Sequence, residues 1–499
     1  MTINNSRRVI VIGSGPAGAA TAWKLIKNGI PVTMLDSGFH YPSGLLLRMG
    51  GVNLFRRTGT EGYVDDEDEY IPEDGGDPEI CWWTNHNPGG LSNQWTGAVP
   101  RFAPEDFYEG GALHEKYVWP VTYDDVAPYY PAIEKLMHVS GTDQPAHQLP
   151  AGYVSSKRTL DQDWAPLIKS AEQTGQSLIP LPLADGPDWY MVKRGTAFNS
   201  FSVMVEPLMS SPLFEFIDGA HALELEWSDL KNKVTGLVYH NRRTGLQERL
   251  EADAFVVACG QLASTKLLFA SKSAAFPNGL GNNHDVLGRY LHDHVKEWFS
   301  FEIDQPLSVL APSAYVTRRP YGQDHPLLAA SWTLGMPSQS AKFARLIGRK
   351  SNRFAVQLFT TSIPRHDRGQ QPHPTLKDKL GQPLVRLTFS FDDAEVQNVH
   401  DSRQHLIDLF ERAGIQVKLD DIFFQIFPGL SIHYGGTIRM HRDPQYGVLD
   451  QWNRVYEAPN VLVTDASAFT TGPEKNPTLT MMALAMRAAD KLTEDLKTG

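Results

Sequence analysis

The sequence predicts an α/β chain: a domain built on a parallel sheet from discontinuous pieces, with an α+β unit built on an antiparallel sheet inserted into it. Three observations predict this. Residues 9–35 read as one strand–helix–strand unit, and the run from Asp253 to Ser271 returns to a buried strand followed by a helix. Between and beyond them lie short alternating strands separated by Pro-rich turns.

The first unit opens on Val9-Ile10-Val11-Ile12, apolar at every position, and turns at Gly13-Ser14-Gly15-Pro16-Ala17-Gly18. Ala19–Asn28 is rich in helix formers, and Pro31–Leu35 gives a second strand ending on Asp36, 18 residues past Gly18. Residues 40–88 are irregular and rich in Gly, Pro and acidic residues, a long excursion whose run Asp65-Asp66-Glu67-Asp68-Glu69 reads as a solvated face or mobile lid. From Ser211 the strands Phe214–Ile217, Ala222–Trp227 and Val234–Tyr239 suggest a β-meander. Asp253–Cys259 is a continuous apolar strand ending at Gly260, and Leu262–Ser271 a helix. Trp298–Ile303, Leu327–Leu334, Phe354–Thr361 and Val385–Phe391 suggest a separate antiparallel sheet, followed by a helix over 395–414. Asn460–Val463 and a helix over Pro477–Leu492 return to the first domain, with Met481, Met482, Leu484 and Met486 as core packing. The expected division assigns 1–150, 211–294 and 431–499 to the first domain, and 151–210 and 295–430 to the second.

Composition narrows the function classes. The 499 residues are 41% hydrophobic and 21% charged, as expected of packed globular domains. Lys and Arg number 46 against 57 Asp and Glu, for a net charge of -11, with no basic stripe for nucleic acid. The two cysteines, Cys81 and Cys259, are too far apart in sequence to suggest a disulfide framework or a Cys-based zinc site, and no metal is expected. Cys259 sits in an apolar run and reads as a buried small residue. Ser6-Arg7-Arg8 precedes an apolar stretch that Gly13 and Gly15 cut too short for an export signal. No stretch approaches the roughly 18 apolar residues of a membrane span, so a cytoplasmic protein is expected.

Three motifs carry chemistry. In the Gly-rich turn Gly13 allows the bend, Gly15 lets the backbone approach a pyrophosphate, and Gly18 permits close helix–sheet packing; Pro16 and Ala17 open the helix whose N-H groups face the phosphates. This is a Rossmann-like dinucleotide fingerprint. Asp36 is placed to take ribose hydroxyls and would repel a 2'-phosphate, which leaves FAD or NAD. A second loop, Asn87 to Gly97, carries Ser92, Asn93, Gln94, Trp95 and Thr96, a set that can wrap and hydrogen-bond a planar ring, although such a loop is equally an ordered surface feature. Near the C-terminus stand His433 and Asn476, the latter directly before a helix opened by Pro477 and Thr478. An imidazole can accept a proton from an alcohol, an amide can orient the same hydroxyl, and a helix N-terminus can stabilise negative charge on a reduced ring. Spacing alone does not bring the two residues together.

Taken together, these motifs resemble the glucose-methanol-choline (GMC) flavoprotein oxidoreductases. The likeness covers the N-terminal unit, the Gly89–Pro100 loop, the strand ending at Gly260 with its helix, Leu287–Leu291 with His292-Asp293-His294, and the region from about Leu430 to Leu492; residues 295–425 match no motif. Gly89–Thr96, His433–Met440 and Asn476–Thr480 look most like pyranose 2-oxidase and related sugar or glycoside oxidases. The resemblance implies FAD, with its ADP portion on the first unit, its adenine near the Ala222 backbone, its ribityl and pyrophosphate region beside Asp465, its ring under the 89–97 loop, and Gly260 among the residues that contact it. It also implies His433 as base and Asn476 as partner, oxidising a secondary alcohol of a pyranose or glycoside by hydride transfer to flavin N5. Gln94 stands where pyranose 2-oxidase attaches its flavin through histidine, so FAD is expected to be dissociable. Met440-His441 replaces the usual Met-Gly. Oxygen, a quinone or another acceptor could discharge the reduced flavin. The alternatives are a GMC enzyme acting on a non-sugar hydroxyl of secondary metabolism and a flavin-binding protein without turnover.

Overall fold

Four successive buried β-branched positions, Val9–Ile12, can be satisfied only in the interior of a sheet. They pair in parallel with Ala254–Val257 on one side and Val32–Leu35 on the other. The computed structural model describes residues 8–40, 70–72, 82–93, 95–146, 148–184, 198–309, 313–318, 325–335, 347–424 and 426–498. In it the sheet extends outward to Phe214–Ile217 at one edge, and through Ala458–Val463 to Arg454–Val455 at the other, where the last pairing alone is antiparallel. Helices Pro16–Lys27 and Thr478–Thr498 pack on each other, and their apolar faces join the sheet in the larger core.

Phe214–Ile217 is not in the meander expected for it. It adds in parallel to Val32–Leu35, and the meander consists of Ala220–Ser228, Lys233–Asn241 and Leu246–Glu251. An edge strand shielded unevenly alternates like a hairpin strand, so the period alone could not separate the two.

The second architecture is a six-stranded antiparallel sheet ordered Val417–Phe424, Val295–Ser308, Lys350–Thr360, Ala330–Leu334, Ala314–Arg318 and Ile179–Pro180. Helices Asp393–Arg412 and Ala165–Gln173 close it around a second core that includes Trp164, Phe299, Trp332 and Phe410. The longer helix begins in a reciprocal cap: Asp392 accepts from the Glu395 N-H and Glu395 from the Asp392 N-H, each at 2.9 Å, a device worth about 1 kcal/mol.

Pro383–Thr388 does not join that sheet, contrary to expectation. It belongs to a separate five-stranded sheet with Gly435–Thr437, Arg289–His292, Gly369–Lys377 and Tyr70–Pro72. This sheet positions the site, because pairing His292 opposite Gly435 brings the segment after residue 292 beside His433. The acidic run 65–69 and Cys81 lie outside the described residues. Among the described residues no helix is long and apolar enough to cross a membrane.

Candidate active site

A cavity of about 330 Å³ runs from the Gly-rich turn to His433 and Asn476. At its first end, Gly13, Gly15, Pro16, Ala17 and Asp36 line the wall. Gly18 serves packing: a Cβ there would stand 2.0 Å from the Gly13 carbonyl oxygen. A Cβ on Gly15 would meet nothing within 4 Å, and the helix that begins beside it has neither a side-chain cap nor an acid in its first turn. Unmatched N-H groups facing open space suit a pyrophosphate. Asp36 accepts from the Ser14 and Gly38 N-H groups, both at 2.9 Å, and burial raises its carboxyl above the usual range.

Ala222, Gly260, Asp465, Ser92, Trp95, Thr96, Pro477 and Thr478 also line the cavity. Asn93 does not; it is buried, donates to the Gly90 carbonyl at 2.9 Å, accepts from Asn199 at 2.7 Å, and so holds the loop in shape. Gln94 lies outside the described residues. Cys259 faces the cavity, but burial pushes its thiol up to about 12, which leaves it inert. Of the methionine stripe, Met482 and Met486 are buried as expected, whereas Met481 reaches the cavity wall. His441 is structural: its Nε2 donates to the Glu115 carbonyl at 3.1 Å, and its Nδ1 accepts from the Asp443 N-H at 2.9 Å.

At the far end the two residues singled out by chemistry do meet. Asn476 Nδ2 is 3.1 Å from His433 Nε2. On the other side of the ring, His433 Nδ1 lies 2.9 Å from His294 Nδ1, and His294 Nε2 lies 2.6 Å from the Pro473 carbonyl oxygen. The His433 N-H donates to Asp293 at 2.9 Å, and Ser431 donates its hydroxyl to the same carboxylate oxygen. Those bonds hold Ile432, a β-branched residue, at a left-handed φ of 60°, a strained backbone placed beside the His433 ring. Lys475, directly before Asn476, is fully buried between Glu474 (2.8 Å) and Asp106 (3.1 Å).

Burial dominates the electrostatics here. It pulls His294 down to about 4 and His433 well below its ordinary value, with His294 and Lys296 adding to the effect on His433. Asp293 is pushed up to about 6 by the same burial. His433 is therefore a neutral ring at neutral pH, able to accept a proton.

Lys296, Gln357 and Phe359 complete this end of the cavity. Lys296 and Phe359 are cross-strand neighbours in the six-stranded sheet; the Lys296 ammonium is 5.4 Å from the Phe359 ring, whose centroid is 5.2 Å from that of His433. Sequence reasoning assigned no role to these residues or to His294. The available signal was three ionisable residues in a row, His292-Asp293-His294, ahead of an alternating strand.

A Gly-rich turn and an uncapped helix N-terminus opening into a pocket with a neutral imidazole suit dinucleotide-dependent oxidoreduction. Residues 373–485 match the GMC oxidoreductase family model for the C-terminal part. A 6'''-hydroxyparomomycin C oxidase of Streptomyces lividus is 28% identical, with 98% of this chain and 91% of that protein covered. A paromamine 6'-oxidase of Streptomyces fradiae is 26% identical over the same shares. A pyranose 2-oxidase of Lyophyllum shimeji is 22% identical, covering 82% of this chain and 72% of that one. Among solved structures, a formate oxidase variant of Aspergillus oryzae RIB40 superposes with a TM-score of 0.65 at 15% identity, covering 100% of both chains. The chain is thus similar to GMC oxidoreductases over its C-terminal part and to sugar oxidases over nearly its full length, and it is an FAD-dependent oxidoreductase acting on CH-OH donors.

Proposed function

We propose that this enzyme oxidises a hydroxyl of a pyranose sugar or glycoside to a carbonyl, with His433 as general base and Asn476 orienting the substrate oxygen. The observation that carries the reading is the 3.1 Å approach of Asn476 Nδ2 to His433 Nε2 in the wall of a cavity that continues to the Gly-rich turn. FAD, when bound, takes the hydride that the carbinol carbon gives up. His433 Nε2 receives the hydroxyl proton, and burial keeps the ring neutral beforehand. Asn476 turns the hydroxyl toward the ring. The strained turn at Ile432, tied down through Asp293, fixes the direction of approach.

In this reading the first-turn N-H groups after Gly15, with Pro16 and Ala17, would hold the pyrophosphate, Asp36 would take the adenosine ribose, the Ala222 backbone would meet the adenine, and Gly260 and Asp465 would contact the central part of the cofactor. Ser92, Trp95, Thr96, Pro477 and Thr478 would contact its ring. The parallel sheet, from segments 1–150, 211–294 and 431–499, would be the FAD-binding unit, and segments 151–210 and 295–430 an inserted substrate unit. A carboxamide at 94 cannot form the histidyl link, so FAD is held without a covalent bond; acid precipitation should leave a yellow supernatant, and a yellow pellet would refute this.

Similarity to the pyranose 2-oxidase supports a secondary ring hydroxyl. The 6' and 6''' positions in the names of the two Streptomyces oxidases support a second reading, the exocyclic C6 hydroxyl. An anaerobic panel of pyranoses and glycosides, followed by flavin bleaching and by product NMR, decides between a ring ketone and an aldehyde. His433→Ala should abolish bleaching while leaving the bound-FAD spectrum intact. Near-normal bleaching by that variant would refute the base assignment. Oxygen, quinone and dye acceptors added to the reduced enzyme separate oxidase from dehydrogenase.

A further inference from the structure

The geometry points to His294 as the positioning residue that fixes the tautomer of His433, through a chain of hydrogen bonds anchored on the Pro473 carbonyl. The inference rests on His433 acting as base, and it concerns which nitrogen of that ring is free to act.

A carbonyl oxygen can only accept, so the 2.6 Å contact from His294 Nε2 to the Pro473 oxygen places the His294 proton on Nε2. Burial keeps this ring neutral at neutral pH, with its proton binding pulled down to about 4, so His294 Nδ1 holds a bare lone pair. His433 Nδ1 lies 2.9 Å away, a distance at which two nitrogens need one proton between them. Only His433 can supply it. His433 is therefore the Nδ1-H tautomer, and its Nε2 is bare and directed at the amide of Asn476, 3.1 Å away. The other tautomer would set two lone pairs against each other at Nδ1 and turn a donor toward the substrate. When His433 takes up the hydroxyl proton at Nε2, its Nδ1-H still has an acceptor. No proton leaves by this route, because the chain ends on a carbonyl.

The environment leaves this chain as the element that sets the tautomer. The charged groups acting on the two rings are Lys296, on strand Val295–Ser308, and Glu474, just after Pro473. Asp293 engages His433 through its backbone N-H and not through its ring. Phe359, on the neighbouring strand, presents an apolar face. The same tripeptide thus holds the base twice, Asp293 by its backbone and His294 by its ring.

The test is histidine ¹⁵N NMR on the FAD-loaded protein, with the His433 signals identified by their loss in His433→Asn. Wild type should show a protonated Nδ1 and a bare Nε2. In His294→Leu the proton should move to Nε2, and flavin reduction by the sugar that bleaches wild type fastest should fall about 10²- to 10⁴-fold with the FAD spectrum retained. In His294→Asn, whose side-chain oxygen can stand in for the Nδ1 acceptor, the wild-type tautomer and a rate within about tenfold of wild type should persist. A proton on Nε2 in wild type, or an unchanged tautomer in His294→Leu, would overturn the inference, as would equal rates in the Leu and Asn variants. If His294→Leu does not fold, the wild-type spectrum and the Asn variant decide. Bleaching by His433→Ala would remove the base assignment while leaving the tautomer measurement standing, so the two failures are distinguishable.

Discussion

The two ends of the cavity are built on different principles. On the proposed reading, the nucleotide end draws largely on positions 13–36 and is formed mainly by backbone: a turn, a helix N-terminus and one carboxylate. The proposed catalytic end is formed by side chains from segments far apart, with His433 separated by 139 positions from His294 and by 43 from Asn476. A backbone device tolerates no added atom where chain packs on chain. A side-chain device can lose its chemistry while the fold stands.

The sharpest way to break this contrast is within the Gly-rich turn itself. Gly18→Ala would push a Cβ to 2.0 Å from the Gly13 carbonyl oxygen, backbone on backbone with nothing flexible to move. It should cost about 3 kcal/mol or more and yield little folded protein, read as thermal midpoint and soluble yield. Gly15→Ala adds its methyl where no protein atom lies within 4 Å, so the apoprotein should keep its melting temperature while losing FAD affinity. Equal melting losses in the two variants would mean that Gly15 is a packing glycine as well.

The catalytic end has its own buried weak point. Lys475 is fully buried against Asp106 and Glu474, so Lys475→Met strands two carboxylates without their cation and should cost about 3–5 kcal/mol. Because Asn476 is the next residue, the folded fraction should also reduce its flavin slowly. Urea denaturation together with stopped-flow bleaching checks both. A destabilised variant with wild-type bleaching would show that the ion cluster serves stability alone.

This contrast also explains what was legible in the sequence. The 9–36 unit was readable because its strand, turn, helix and carboxylate are contiguous and each leaves a compositional mark. His433 and Asn476 were readable as chemistry, but their meeting was not, because sheet pairing such as His292 opposite Gly435 is a long-range fact. Pattern alone sets Phe214–Ile217 in the meander, because a period of two does not name a partner strand. Lys296 and Gln357 were passed over because alternation in residues 295–360 looked like an ordinary half-buried sheet, with nothing to mark which polar face lines a cavity.

The pH dependence is a smaller effect with a definite sign. If His433 is the base, as proposed, it must be neutral to act, and its proton binding in the fold lies well below the ordinary value of about 6.5. Activity carried by the neutral ring is present above the folded pKa and is lost only as pH falls through it. The acid limb of kcat/KM should therefore lie below pH 6.5. A limb centred near 6.5 or higher, with no competing group identified, would mean that the ring is more solvated than its burial implies.

The smallest predicted effect concerns Lys296. Its ammonium faces the same end of the cavity as His433, stacked between Trp298 at 5.3 Å and Phe359 at 5.4 Å, and it is one of the causes of the lowered His433 proton affinity. Replacing it by Met keeps the length and apolar stem of the side chain and removes the charge. Without a neighbouring cation the imidazolium becomes less costly, so the folded pKa of His433 rises and the acid limb of Lys296→Met should move to higher pH. The same charge should disfavour an amine-bearing sugar relative to its neutral counterpart, and the variant should narrow that preference by about three- to tenfold in kcat/KM, a difference on the order of 1 kcal/mol. Measuring D-glucose and D-glucosamine side by side in both proteins separates the two consequences. A shifted limb with unchanged discrimination would place the ammonium near the base but away from the sugar, and no change in either would show that Lys296 is neutral at working pH.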